Sequence, residues 1–149
     1  MLKSRPACRC TPANIAHYRG RLSGPLRDRI DLIVEVPAVP ISAIADAAPG
    51  ESSASVRARV LAARQFQHAR YGADGPRTNA SLRGGAVAVH CRPNVKGRAL
   101  LLGAAKQLGL TARGHDRVLK VARTIADLAS SARVEREHIA EALQYRLIE

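Results

Sequence analysis

Two thiols stand one residue apart in Cys8-Arg9-Cys10-Thr11-Pro12. That is half of a tetrahedral zinc site, without the two-residue spacing of a zinc knuckle, and His17 comes within range only if the following helix turns it back. The neighbours His90 and Cys91 offer a base and a nucleophile. Adjacent residues on a helix point in different directions, however, and no third group orients them, so Cys91 reads as a core residue. Taken alone, Arg29 beside Asp31 and Arg113 beside Asp116 read as surface ion pairs.

The groups that hold nucleotide and magnesium in ATP hydrolases are missing from the sequence. No Gly-Lys pair occurs, so there is no GxxxxGK[ST] loop, and no apolar strand ends in Asp-Glu. Autonomous ATP hydrolysis is not expected of this chain.

The elements around these residues are mostly helical. Thr11-Pro12 is a hydroxyl cap followed by a proline at the first helical position, and Gly20 stops the helix it opens. After Ser23-Gly24-Pro25, a short amphipathic piece from Leu26 to Ile30 leads into Leu32-Ile33-Val34-Glu35-Val36, a β-branched run closed by Pro37. It is the one segment with strand character, and since a single strand cannot make a sheet, either it lies on an edge or its partners belong to sequence outside this chain. Ser52 or Ser53 caps a helix with Val56, Val60 and Ala63 on one side and Gly72 as its stop. Residues 73–85, with Pro76, Asn79 and Gly84-Gly85, read as a loop. Pro93-Asn94 opens a helix with Leu100, Leu101 and Leu102 before Gly109. Asp116 to Ser130 is the most periodic stretch, with Val118, Val121 or Ala122, Ile125 and Leu128 or Ala129 on one stripe and Arg117, Lys120, Arg123 and Asp127 opposite. A last helix from about Glu135 to Arg146 turns Ile139, Ala142 and Leu143 inward.

Composition sets limits on partners. With 149 residues, 46% hydrophobic and 24% charged, the chain has room for one ordinary core and the makeup of a folding domain. No apolar run approaches the roughly 20 residues that span a bilayer, no signal peptide is expected, and three cysteines make no secreted disulfide framework. A cytoplasmic setting is expected. The net charge of +12 attracts polyanions, and residues 1–29 carry half of that excess. Tyr18, Phe66, Tyr71 and Tyr145 are few rings for gripping single strands by stacking.

The segment Ser23-Gly24-Pro25-Leu26-Arg27-Asp28-Arg29-Ile30-Asp31-Leu32 resembles a stretch of the magnesium-chelatase-related AAA+ ATPases of the ComM or YifB type, with Arg27 where that family usually has leucine. Other matches follow in order. Val34-Glu35-Val36-Pro37 is similar to the last strand of the family's core, and Val60-Leu61-Ala62-Ala63-Arg64 to the first helix of its lid. Leu108-Gly109-Leu110-Thr111-Ala112-Arg113-Gly114, Asp116-Arg117-Val118-Leu119 and Val121 to Ala129 resemble the lid signature, with His115 where tyrosine is common. Glu141 to Arg146 resembles the closing helix. The likeness covers about residues 8 to 146 and is loosest at 80–98.

This resemblance implies a mainly α fold: a helical lid over residues 40–149, preceded over residues 1–39 by the end of an α/β AAA+ core. It implies that Arg29 is a finger acting in trans on a neighbouring subunit's ATP, and that Arg113 is the sensor-2 arginine contacting nucleotide phosphate from the lid. No metal ligand is implied. ATP and Mg are expected only within a complete ring, whose partners are the AAA+ core and neighbouring subunits of a hexamer, with DNA as a further partner and no membrane. The chain is read as a fragment, from a split or decayed gene or a shortened gene model. The alternative is a stand-alone basic helical module that binds nucleic acid without nucleotide.

Overall fold

The computed structural model describes residues 9–40, 44 and 48–146. Contacts divide the chain into two units, one ending at Ile30 and the other beginning at Asp31. In the first unit, α1 (Pro12–Gly20) starts as the sequence predicts: Thr11 is its N-cap, accepting from the Asn14 amide at 3.3 Å, and proline sits at the helix start. A four-residue turn, α2 (Gly24–Arg27), follows. Ile15, Tyr18, Leu22 and Leu26 are all exposed.

The second unit is an assembly of helices. Its elements are α3 (Ser53–Tyr71), a 3-10 turn (Asn79–Ser81), α4 (Gly85–His90), α5 (Val95–Leu108), α6 (Ala112–Leu128) and α7 (Arg136–Gln144). Most predicted starts and stops are local chemistry and hold, but α6 begins at Ala112, four residues before the periodic stretch read from Asp116, on a Thr111 cap not among those expected. Ser52 caps α3, Asn94 caps α5 through a 2.7 Å bond from the Gly97 amide, and Thr111 caps α6. Gly109 ends α5 in the left-handed conformation (φ 59°, ψ 37°), which costs glycine no clash between Cβ and backbone.

The core gathers Leu82, Val87, Cys91, Leu101, Val118, Ala122, Ala126, Val134, Ile139 and Ala142 around α6. Each fully buried leucine, isoleucine or valine here contributes roughly 1.5–3 kcal/mol relative to exposure. Cys91 is fully buried, and burial pushes its thiol up to about 11, so it stays protonated and unreactive at neutral pH. Pro93 and Val134 form a parallel bridge, the Asn94 amide donates to the Val134 carbonyl at 2.9 Å, and the Asn94 side chain donates to Glu135. The starts of α5 and α7 are thereby stitched together.

The segment Leu32 to Val36, read as strand-like but unable to make a sheet by itself, has no ladder partner among the described residues, and Val34 and Val36 are exposed. Its backbone tie is the Ile33 amide to the Tyr145 carbonyl at 3.1 Å. Two expectations need correction. Residues 73–85 are not a plain loop, because they include the 3-10 turn with Asn79 buried beneath it and the first residue of α4. Most important, Arg123 and Asp127 do not lie on a solvated face of α6 but are each 2% exposed, whereas Leu128 is 39% exposed. Periodicity assigned them by type, and ion pairing overrode it.

Asp127 is the centre of a polar cluster. Arg70 donates to both its oxygens, at 2.5 Å to Oδ1 and 3.1 Å to Oδ2. Asn79 Nδ2 donates to Oδ2 at 2.8 Å and Arg123 Nε to Oδ1 at 3.1 Å. Arg123 also donates to the Ser131 and Ala132 carbonyls at 2.6 and 3.0 Å, and Tyr71 donates to Asn79 Oδ1 at 2.6 Å. Among the described residues no buried side-chain nitrogen or oxygen lacks a partner. The cluster joins α3, the 3-10 turn, α6 and the turn after α6.

Hydrogen exchange reads the contrast between the extremes of this chain. Amides at 9–39 are expected to exchange much faster than those at 115–146, because few of them lie under buried apolar contacts. Equal protection of the two would show that Leu32 to Val36 pairs with a strand of another molecule.

Candidate functional site

Arg113 occupies the second position of α6, a 17-residue helix whose first-turn amides and dipole favour anions. Thr111 Oγ1 takes the Gly114 amide at 3.0 Å, which leaves the Ala112 and Arg113 amides as outward donors. Arg113 itself is exposed, and no ion pair holds it to Asp116, whose carboxylate faces His115 Nδ1 at 3.4 Å. An exposed guanidinium beside helix-start amides offers a phosphate two-point donation backed by a positive helix end.

Gly114 shows a residue that sequence reasoning missed. It is buried, and a Cβ placed there would meet Arg146 Nη2 at 3.1 Å. The guanidinium of Arg146 thus lies across the first turn of α6, bringing a second positive charge to that helix start. Nothing in the spacing links residues 114 and 146, so only the packing of α7 on α6 reveals the approach.

Arg29 belongs to the other unit and is exposed, just after α2. Its amide donates to the Leu26 carbonyl at 2.9 Å, which fixes the backbone turn that presents it. Asp31 is engaged by Arg117 of α6. Neither of the two ion pairs read from sequence proximity, Arg29 with Asp31 and Arg113 with Asp116, is the pairing in which Asp31 or Asp116 takes part.

Other sequence candidates carry less. Cys8 lies outside the described residues, Cys10 and His17 are exposed, and no cluster of three metal-ligating side chains occurs among the described residues. His90 packs edge-on against Tyr71, with ring centroids 5.1 Å apart, while Cys91 is core. No helix among the described residues is long and apolar enough to cross a membrane.

The comparisons with known proteins agree over most of the chain. Residues 50–146 match the family described as magnesium chelatase, subunit ChlI C-terminal, and residues 1–44 match magnesium chelatase, subunit ChlI. The chain is 42% identical over 142 residues to the uncharacterized protein YifB of Escherichia coli, covering 95% of this chain and 27% of the relative. It is 42% identical over 139 residues to the competence protein ComM of Haemophilus influenzae, covering 93% of this chain and 26% of the relative. An uncharacterized protein of Mycobacterium bovis is 39% identical over 139 residues, 93% of this chain and 27% of its own length. The chain therefore spans about a quarter of the length of these relatives. With the helical fold and a family match over most of its length, the chain belongs to the magnesium chelatase, ComM and YifB family of AAA+ proteins.

Proposed function

We propose that this chain supplies the C-terminal part of a ring-forming AAA+ ATPase, with Arg29 as the finger acting in trans and Arg113 as the sensor-2 arginine of its own subunit. In this reading residues 1–39 end the α/β core and residues 40–149 are the helical lid. The observation that carries it is the placement of Arg113, exposed at the start of α6 and free of the neighbouring carboxylate. The exposed position of Arg29 after the Leu26 turn agrees with it.

The residues present fit the rim of a nucleotide site and not its floor. Arg113 would contact phosphate oxygens, and Arg29 would stabilise charge developing on a neighbour's nucleotide. Bound ATP with Mg supplies the transferable phosphoryl group. The loop and lysine that grip the β- and γ-phosphates are absent from this sequence, so those groups must come from a core on other residues or another chain. The partners proposed are that core and neighbouring subunits of a hexamer, with DNA favoured as a further partner by the +12 charge.

The purified chain alone is expected neither to bind ATP tightly nor to hydrolyse it. It should show only weak attraction to polyphosphates that fades with added salt and does not discriminate ATP from them. An ATPase rate that survives stringent purification and disappears with Arg113→Ala would overturn this assignment. The same charge favours a second reading, a basic helical module that binds nucleic acid without nucleotide. Salt sensitivity is common to both. Binding that requires ATP and a core-bearing chain selects the first, and binding indifferent to both selects the second.

A further inference from the structure

Residues 31–34 are the point at which the chain leaving Arg29 is seated on the helices. Asp31 pairs with Arg117, which lies one turn after Arg113 on α6. The Ile33 amide donates to the Tyr145 carbonyl at 3.1 Å, just past the end of α7. Leu32 and Val34 line a largely apolar groove of about 450 Å³ with Val121, Ile125, Leu128 and Tyr145. One ion pair, one backbone bond and a strip of apolar contact thus hold this segment to α6 and α7.

From these contacts we propose that Asp31 and Arg117 are positioning residues for the finger: their ion pair makes the anchor of Arg29 part of the helix that carries Arg113. The inference rests on the proposed roles of those two arginines. Asp31 is two residues from Arg29, a leash of at most roughly 7 Å. Without the pair, the next fixed point is Ile33, four residues away, and the leash lengthens to roughly 14 Å. Doubling a flexible connection lowers the chance of a set end position by about threefold. The same pair lets displacement of α6 at its phosphate-facing end be felt at the segment leading to the finger.

The effect is small because both partners are partly solvated, with side-chain exposures of 23% for Arg117 and 48% for Asp31. It is nonetheless specific in kind. A positioning contact changes turnover and leaves nucleotide affinity alone, whereas loss of fold would loosen the helices as well.

The test has two readouts on Asp31→Asn, Arg117→Gln, the double variant and the charge swap Asp31→Arg with Arg117→Asp. In the full chain, hydrogen exchange at Ile33 should quicken by up to about fivefold in each single variant, with amides of α6 unchanged. Turnover is then measured in the ATP-hydrolysing assembly formed with a core-bearing chain, beside Arg29→Ala. Each single variant should turn over about threefold more slowly with unchanged nucleotide affinity, the double variant no worse than either, and the charge swap closer to wild type. Unchanged exchange at Ile33 overturns the proposal. So does normal turnover in Asp31→Asn when Arg29→Ala is nearly inactive, an outcome that leaves the finger reading standing. Normal turnover in Arg29→Ala removes the finger reading and this inference with it.

Discussion

Replacing Arg29 by alanine in an assembled, ATP-hydrolysing ring is expected to lower turnover by a factor on the order of 10³ or more, with little change in nucleotide affinity. A finger arginine donates to charge that develops during phosphoryl transfer, so its contribution appears in the transition state and hardly in the ground state. Arg29→Lys should recover little, since an ammonium cannot reproduce a planar two-point contact. Arg113→Ala should behave differently, weakening nucleotide binding as well as turnover, because it would touch phosphate before reaction. Mixing active subunits with Arg29→Ala subunits separates the two roles: a trans residue silences the neighbour's site, a cis residue its own. Steady-state turnover with nucleotide titration checks both. Wild-type turnover in assembled Arg29→Ala would return Arg29 to an ordinary surface residue.

The second large effect concerns stability. Asp127→Asn removes the charge shared by Arg70 and Arg123 and leaves two guanidiniums facing each other in a buried cluster. Breaking a buried pair in this way costs about 3–5 kcal/mol. Against the roughly 5–15 kcal/mol that holds an ordinary domain, that loss lowers the midpoint of thermal unfolding by on the order of 10–30 °C. Arg70→Met should cost less, because Arg123 still satisfies the carboxylate and Arg70 is partly solvated at 19%. Differential scanning calorimetry distinguishes the two, and equal midpoints for wild type and Asp127→Asn would show that the cluster contributes nothing net.

The same cluster sets a pH dependence. Burial pushes the Asp127 carboxyl up, but bonds from Arg70 and Asn79 and the charges of Arg123 and Arg70 outweigh it and hold it below the ordinary carboxylate range. The two arginines respond oppositely. Arg70 is raised by its bond to Asp127, and Arg123, more deeply buried, is lowered by desolvation against the pull of the same carboxylate. Both stay charged at any physiological pH. Since unfolded Asp127 takes up its proton near pH 4 and folded Asp127 only lower, the stabilisation is complete above about pH 4. It drains as pH falls through the depressed folded value, and Asp127→Asn should remove that acid limb.

Helix boundaries were legible in the sequence because they are local. Thr11-Pro12, Ser52, Asn94 and Gly109 act within one turn of themselves, and each does in the structure what its chemistry predicts. The inward face of α7, with Ile139, Ala142 and Leu143, was legible from period alone. What pattern reading could not find are pairings across distance. Asn79 sits in a segment that looks like loop, and its burial depends on Asp127, 48 residues on. Arg123 and Asp127 look like surface by type and become core only because Arg70 and two carbonyls meet them. Arg29 and Arg113 were reached through an ordered resemblance, not through spacing; the mainly α fold followed from both.

The separation of Asp127 from its partners also says something about the order of assembly. α5, α6 and α7 are joined by short turns, so their mutual packing closes small loops and can form early. The bond from Arg70 to Asp127 spans 57 residues, and that from Asn79 to Asp127 spans 48, so they close only after α3 and the 3-10 turn have docked. Contacts that form after the rate-limiting step leave the refolding rate nearly untouched and speed unfolding when lost. In Asp127→Asn the unfolding arm of a denaturant chevron should therefore carry most of the change, and a shift confined to the refolding arm would place this cluster in the nucleus instead. The polar cluster is, in kinetic terms, a latch that delays opening and does little to hasten closing.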